Sequence, residues 1–242
     1  MKLKVLSWNI WKGQHLDKII EVLEKESADI IGLQEIKVQD GTNIAEIIAE
    51  KLGYDFVYCK AYTTDRHTPP YDLGNAVLSK FSITENECIL LSTLEDYKKE
   101  EAAMTEPRGA CIAKININGG EITFISTHLA FSLECKPVAI REIQLNTLLK
   151  VIDKKNTVLM GDFNSVPESD VVRKLSEKLI NTDPEMKELS WINYRDPNKT
   201  KYRIDYIFTT PDLKAENFQI VETDASDHYP LLIDLEVCTQ NN

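Results

Sequence analysis

The sequence is short of positive charge: 28 Lys and Arg stand against 39 Asp and Glu, a formal net charge of -11 over 242 residues. That deficit argues against a surface coated for nucleic acid or for an anionic membrane, because both partners select for an excess of Lys and Arg; a local basic patch is still compatible with it. Cysteines are few and scattered. Cys59, Cys88, Cys111, Cys135 and Cys238 are odd in number and form neither a CxxC pair nor a Cys/His spacing of the zinc type. They read as small buried hydrophobes in a reducing cytoplasm, so no structural disulfide and a cytoplasmic location are expected. No stretch approaches the ~20 apolar residues of a membrane span. The opening MKLKVLSWNIWKG is interrupted by Ser7 and Asn9, so no secretory h-region is expected either. Long Pro/Gly/Ser linkers, short repeats and low-complexity tracts are missing as well, which excludes disorder and collagen-like repeats and leaves one domain over residues 1–242.

What is present is an alternation of strand and helix patterns around a β-rich centre. Residues 3–7 read as a buried strand, Leu16, Ile19, Ile20 and Leu23 recur at helical spacing, and residues 29–33 form a second apolar run. A helix is expected over residues 43–52, with Gly53 as its stop. Strand-like runs follow at residues 54–61, 74–78, 83–91, 109–117 and 121–126, the last two joined at Asn118-Gly119-Gly120, the composition of a tight hairpin. Ile140, Ile143, Leu148, Val151 and Ile152 give another amphipathic helix before a strand at 157–160. Ser165 and Glu168 have the spacing of a capping box for a helix carrying Val171, Val172, Leu175 and Leu179, and strands near 203–208, 218–221 and 230–237 close the chain.

Several apolar runs end in a small polar cluster: Leu6-Ser-Trp-Asn9, Leu33-Gln-Glu35, Ile125-Ser-Thr-His128 and Leu159-Met-Gly-Asp-Phe-Asn164. Strand ends are rigid positions from which polar side chains can converge on one rim, the usual place for sites in layered α/β proteins. Each residue alone has a structural explanation. Asn9 also fits a turn or cap, and His128 and His228 also fit satisfied structural histidines. Glu35 is harder to dismiss, because a strand-end carboxylate suits a hard cation. Asp162 and Asn164 lie two apart between a buried strand and a helix, Asp227 and His228 adjoin before the last strand, and Asp205 sits inside a period-2 strand where an acid needs a partner such as an imidazole N–H.

Taken in order, Ser7-Trp-Asn9, Gln34-Glu35, Gly74-Asn-Ala-Val-Leu-Ser79, Glu106-Pro-Arg-Gly109, Thr127-His-Leu129, Gly161-Asp-Phe-Asn164, Arg203-Ile-Asp-Tyr206 and Ser226-Asp-His228 resemble the endonuclease/exonuclease/phosphatase superfamily, which is similar across deoxyribonuclease I, exonuclease III-type enzymes, neutral sphingomyelinases and inositol polyphosphate 5-phosphatases. Each tripeptide is weak alone; their number and order carry the likeness. The resemblance implies an α/β (α+β) fold, a four-layer αββα sandwich of two mixed β-sheets flanked by helices, and a Mg²⁺- or Mn²⁺-dependent phosphoester hydrolase. It implies Glu35 as the main metal ligand with Asn9 and Asp227 beside it, and Asp205 as the acid that orients His228. His228 then polarises a phosphoryl oxygen or acts as general base, and both roles stay open. Asp162 and Asn164 resemble the pair that positions the attacking water or stabilises developing charge, and His128 the group that contacts the scissile phosphate or protonates the leaving group, with Asp72 as its candidate carboxylate. Thr-His-Leu and the Phe of Gly-Asp-Phe-Asn disfavour the abasic-site repair branch. Asn75 and Arg108 come from looser motifs; Arg108 offers a phosphate a bidentate fork, or else an ion pair to a neighbouring glutamate. Lys37 is either a phosphate contact or a loop charge.

The implied partner is a phosphoester, DNA or RNA among the candidates, handled by a monomer with no membrane span. Residues 194–203 interleave four basic residues with two tyrosines and suit an anionic substrate that stacks, or else a solvated loop. Residues 85–106 carry seven acids against two lysines and would repel an extended polyanion. Three functions remain: a nucleic-acid phosphodiesterase, a hydrolase of a smaller lipid, inositol or sugar phosphoester, and a binding module that has lost turnover. The retained acids and histidines argue against the last.

Overall fold

The computed structural model describes residues 1–64, 66–97, 106–194, 196, 198 and 201–237. Cys238, residues 98–105 of the acidic run, and Arg195, Pro197, Lys199 and Thr200 lie outside the described residues. The apolar runs at the start become β1 (Lys2–Asn9), β2 (Ile30–Gln39) and the short β3 (Thr42–Asn43), with α1 (Leu16–Glu26) between the first two. Next comes α2 (Ile44–Leu52), capped by the Asn43 side chain, which accepts from the Ala45 N–H, and stopped by Gly53 in the left-handed region. The β-rich centre holds β4 (Asp55–Thr64), β5 (Tyr71–Ser79), β6 (Ile83–Ser92), β7 (Arg108–Ile117) and β8 (Gly120–His128), the last two joined by Asn118 and Gly119 at positive φ. The chain continues through α3 (Ala139–Val151), β9 (Thr157–Asp162), α4 (Asp170–Ser176), the two-residue β10 (Ile180–Asn181), β11 (Trp191–Ile192) and β12 (Lys201–Tyr202), then β13 (Asp205–Thr209), β14 (Lys214–Ile220) and β15 (Leu231–Glu236).

One sheet runs β14-β15-β1-β2-β5-β4 with β3 beside β2, and the other β10-β13-β9-β8-β7-β6. In each, one pair is parallel, β1 with β2 and β8 with β9, while the rest are antiparallel. The inner faces meet in a core that joins Leu3, Val5 and Val77 of the first sheet to Ile115, Phe124 and Met160 of the second. The outer faces are covered separately. Ile19, Leu23 and Ile48 of α1 and α2 pack on Leu6, Ile31 and Leu33, and Leu145, Leu148 and Val172 of α3 and α4 pack on Ile125, Leu159 and Phe208. The layers are therefore helix, sheet, sheet, helix, as the sequence implied.

Two expectations need correction. The helix after Asn164 starts later than the Ser165/Glu168 spacing suggests: its cap is Ser169, whose hydroxyl accepts from the Val172 N–H, while the Ser165 hydroxyl donates to Phe163 O. The expected absence of a disulfide also fails. Cys59 on β4 and Cys88 on β6 are bonded, with Cα atoms 5.2 Å apart, because β4 and β6 are edge strands of opposite sheets and meet at the open side of the sandwich. Cys111 and Cys135 are free and buried. The ground for reading all five cysteines as thiols is gone. Among the described residues no helix is long and apolar enough to cross a membrane.

Candidate active site

The parallel pairs point their C-terminal ends at one rim, and the expected residues stand there. Asn9 ends β1, His128 ends β8, Asp162 ends β9, and Asn164 follows it. The antiparallel neighbours begin there: Asp205, first in β13, lies opposite Asp162, and Ser7 is opposite Leu231 just after His228. Gly161 lets β9 close on β8 beneath Asp162, since a Cβ would fall 2.0 Å from the Thr127 carbonyl oxygen and the backbone holds φ 154°. Glu35 is aimed by a bulge. The β2–β5 register breaks between Leu33 and Ile36, opposite Asn75, and Glu35 takes φ 57°, which turns its carboxylate out of the strand alternation.

Asp205 accepts from His228 Nδ1 at 2.9 Å and from the Ser190 hydroxyl at 2.6 Å. This holds the His228 proton on Nδ1 and turns Nε2 toward Asp162 Oδ2, 3.7 Å away. The same Oδ2 accepts from Asn9 Nδ2 at 3.1 Å and lies 3.3 Å from His128 Nε2, while Oδ1 accepts from the Asn164 N–H at 2.8 Å. One carboxylate oxygen thus faces two imidazoles and a carboxamide. Asn164 Nδ2 donates to Leu129 O and lies 3.0 Å from His128 Nε2, and Trp8 Nε1 donates to His228 O.

Charge is distributed unevenly among these buried groups. Burial alone would lower the His228 pKa, but the Asp205, Asp162 and Asp227 carboxylates overcome it and push it up to about 10, so the ring is an imidazolium at neutral pH. Burial, reinforced by Asp205, raises Asp162 to about 7. His128 goes the other way, held well below its ordinary value first by burial and then by Arg108. Asp227 is raised, mainly by burial; its Oδ2 accepts from Trp191 Nε1 at 3.3 Å. Burial would raise Glu35, yet the charge of Lys12, then of Arg108 and His228, holds it below the usual carboxylate range.

The expected partner of His128 is replaced. Asp72 on β5 is engaged by the Thr63 hydroxyl at 2.6 Å and Lys60 at 2.9 Å, and His128 Nδ1 faces Arg108 Nη1 at 3.4 Å. Neither the guanidinium nor the Asn164 amide nitrogen can accept a hydrogen bond, so donors face both ring nitrogens, while Asp162 Oδ2 offers an acceptor 3.3 Å from Nε2. Arg108 is buried, with Nη2 on Glu106 Oε2 at 3.0 Å and an unpartnered Nε. Glu35, Asn75, Arg108 and His128 line a small cleft. Asn75 is a buried mid-strand residue whose Nδ2 donates to Gly109 O. Lys37 sits over the Tyr71 ring, 5.0 Å from its centroid.

The 194–203 segment divides. Tyr194 stacks on Trp11 and Tyr202 on Trp191 beside His228. Arg203, expected among the substrate-facing cations, is instead buried, paired with Asp183 at 3.0 Å and donating to Asp205 O. Sequence reasoning also missed Lys12, Ser190 and Arg141. Lys12 forms an ion pair with Glu35, and Arg141 donates to the Asn164 carbonyl oxygen and to the Ser132 and Ser165 hydroxyls. Lys12, three residues past Asn9 and just before Gly13, had a positional cue; Ser190 and Arg141 had none.

Among the described residues, Asp162, Asp205 and His228 are grouped closely enough to hold a metal ion, with ligand atoms within 4.8 Å of one another. Their atoms are largely satisfied by one another and by Asn9, Asn164 and Ser190, which suits proton sharing better. Glu35 Oε2, buried, meets the Lys12 ammonium at 2.9 Å.

The model of the Endonuclease/Exonuclease/phosphatase family matches residues 6–228. The chain belongs to this family. Its members are phosphoric ester hydrolases, so the chain is an endonuclease/exonuclease/phosphatase-type phosphoesterase. No curated protein sequence matches it. Solved structures share its fold at low identity. An endonuclease/exonuclease/phosphatase of Beutenbergia cavernae aligns with TM-score 0.82 and 21% identity, over 98% of this chain and 72% of that one. The mannosyl-6-phosphatase of Bacteroides thetaiotaomicron gives 0.71 and 20%, over 97% and 100%. TDP2 of D. rerio, complexed with single-stranded DNA product, gives 0.72 and 16%, over 98% and 99%.

Proposed function

We propose that this phosphoesterase is a Mg²⁺-dependent hydrolase that cleaves a phosphodiester by attack of water, on a small substrate rather than a polymer. The observation that carries the chemistry is Asp162 Oδ2, set among His128, His228 and Asn9. Asp162, raised toward neutrality, is the group suited to take a proton from the attacking water, with Asn164 fixing its orientation. His228, already charged and oriented by Asp205, donates from Nε2 to a phosphoryl oxygen and acts as polariser rather than base. His128 stays neutral, which suits it to contact the phosphoryl group rather than to protonate the leaving group. Arg108 and Asn75 line the side of the cavity where a phosphate would lie.

Glu35, Asn9 and Asp227 would hold the metal. The fit rests on the donor set, all hard oxygens, and on Glu35 Oε2, a buried carboxylate oxygen that already faces a cation at 2.9 Å. Mg²⁺ held there supplies positive charge to the phosphoryl oxygens. The net charge of -11, and the commitment of Arg203 to Asp183 away from any substrate, favour a small phosphoester over an extended polyanion. A nucleic-acid end is the second reading, favoured by the Tyr194–Trp11 stack at the rim.

The test is hydrolysis of bis-p-nitrophenyl phosphate. Activity should require Mg²⁺ or Mn²⁺, vanish with EDTA while the circular dichroism spectrum is retained, and fall at least 100-fold in His228→Ala and Glu35→Ala. Undiminished turnover in either variant refutes the assignment, and a folded, metal-loaded chain inert on every phosphoester tried returns the binding module.

A further inference from the structure

We infer that Lys12 is a resident cation for Glu35 that a divalent ion must displace, and that the displaced ammonium then holds an anionic oxygen of the substrate. This rests on the reading that Glu35 binds the metal. Lys12 Nζ lies 2.9 Å from the buried Glu35 Oε2, an ion pair inside the site. The ammonium neutralises the carboxylate in the place where this oxygen would meet a metal. An ammonium and a divalent cation repel at such separations, so the two compete for the carboxylate.

The backbone is built to aim this side chain. Trp11, Lys12 and Gly13 hold φ of 47°, 59° and 70°, a left-handed run that L-residues disfavour. Three contacts fasten it. The Trp11 N–H donates to Asn9 Oδ1 at 3.1 Å, the Trp11 ring stacks on Tyr194 at 6.1 Å and 18°, and Gly13 packs so closely on α2 that a Cβ would lie 2.6 Å from Ile44 Cδ1. These contacts hold a disfavoured backbone in place and fix where the Lys12 side chain starts. With the loop fixed, the moving part is the four-carbon stem, and the Lys12 side chain is 32% exposed, so it has room to leave. The same loop engages Asn9 Oδ1, the second expected ligand oxygen, so both ligands are occupied by one turn. Once off Glu35, the ammonium stays tethered beside the cavity shared with Arg108, where the remaining unmet charge is that of a substrate phosphate.

The experiment is calorimetric titration of Mn²⁺ into wild type, Lys12→Gln, Lys12→Arg and Glu35→Gln, followed by kinetics on bis-p-nitrophenyl phosphate at saturating Mn²⁺. Lys12→Gln should bind Mn²⁺ about 5-fold more tightly, as expected for a partly exposed ion pair removed from competition, while its KM rises about 5-fold with a smaller change in kcat. Lys12→Arg, which keeps the charge, should stay near wild type in metal affinity. A merely structural lysine would give weaker metal binding on removal. Equal or weaker binding in Lys12→Gln overturns the inference, and an unchanged KM overturns its substrate half. Glu35→Gln binding Mn²⁺ as wild type does would instead sink the metal assignment beneath it. A second readout needs no variant: amine acylation of Lys12, followed by mass spectrometry, should increase when Mn²⁺ is added to wild type, and no increase counts against displacement.

Discussion

Arg108 decides how His128 can act. A carboxylate against Nδ1 would have raised the imidazole pKa and made it an acid; the guanidinium does the reverse, and burial works in the same direction. The consequence is measurable in stability. His128 is neutral in the fold, whereas in the unfolded chain it takes a proton below about pH 6.5. Below that pH the unfolded state binds the extra proton, so stability is lost as pH falls, by about 1.4 kcal/mol per unit until the folded group also titrates. Asp162, raised in the fold, works in the opposite sense between about pH 4 and 7, so the difference between wild type and His128→Asn is the informative quantity. In urea unfolding with EDTA, the wild type should lose ground to His128→Asn between pH 6.5 and 5. A constant difference across that range would mean His128 is protonated in the fold. At this scale the motifs brought Asn9, His128, Asp162, Asn164, Asp205 and His228 to one rim from the sequence alone. The partners they use were not legible. Ser190 and Arg141 lie in no pattern, and Asp72 was selected for His128 by residue type, which carries no information on which side of β5 a carboxylate is drawn by Thr63 and Lys60.

Period-2 runs and caps made the elements readable, because burial of one face leaves its imprint on the chain. Departures from regular geometry left none. The bulge that turns Glu35 and the left-handed turn at Trp11 and Lys12 occur without glycine at those residues, so no composition cue marks them. Ser165 and Glu168 had the capping spacing, but Ser165 is taken by Phe163 O and Arg141, and the helix waits for Ser169. The disulfide was hidden for a related reason: Cys59 and Cys88 lie 29 residues apart on strands of different sheets, and only the packing of those sheets brings them together. It ties the sandwich at its open edge. A closed loop of that length is worth about 3–4 kcal/mol in the chain-entropy model. Cys88 is exposed, so Cys88→Ser leaves no cavity and isolates the cross-link. Cys111, opposite Cys88 in register, is buried with its thiol pushed up to about 12, which keeps it from exchanging with the bond. Urea unfolding of Cys88→Ser, and of reduced wild type, should show the same loss; a variant within about 0.5 kcal/mol of oxidised wild type would mean the bond contributes nothing.

The net charge of -11 is a property of the whole molecule, and its meaning changes once the rim is mapped. Glu35, Asp162, Asp205 and Asp227 belong to the site, and Glu106 is spent on Arg108, so part of the acid excess is internal. Three of the described cations near the rim are paired likewise: Arg203 with Asp183, Lys12 with Glu35, Arg108 with Glu106. No run of free Lys and Arg is left among these residues to track a polyanion's backbone. A nuclease that neutralised several phosphates would lose affinity steeply with salt, on the order of a thousandfold or more between 50 and 200 mM for six or more contacts. A small phosphoester held at one cavity has no such series of counterions to release. The kcat/KM on bis-p-nitrophenyl phosphate should therefore vary less than about threefold between 50 and 200 mM salt. On a single-stranded oligonucleotide it should be low and flat, or rise as salt screens the repulsion from the acidic surface. A fall of more than tenfold on the oligonucleotide over that range would reveal a phosphate track and move the substrate to nucleic acid.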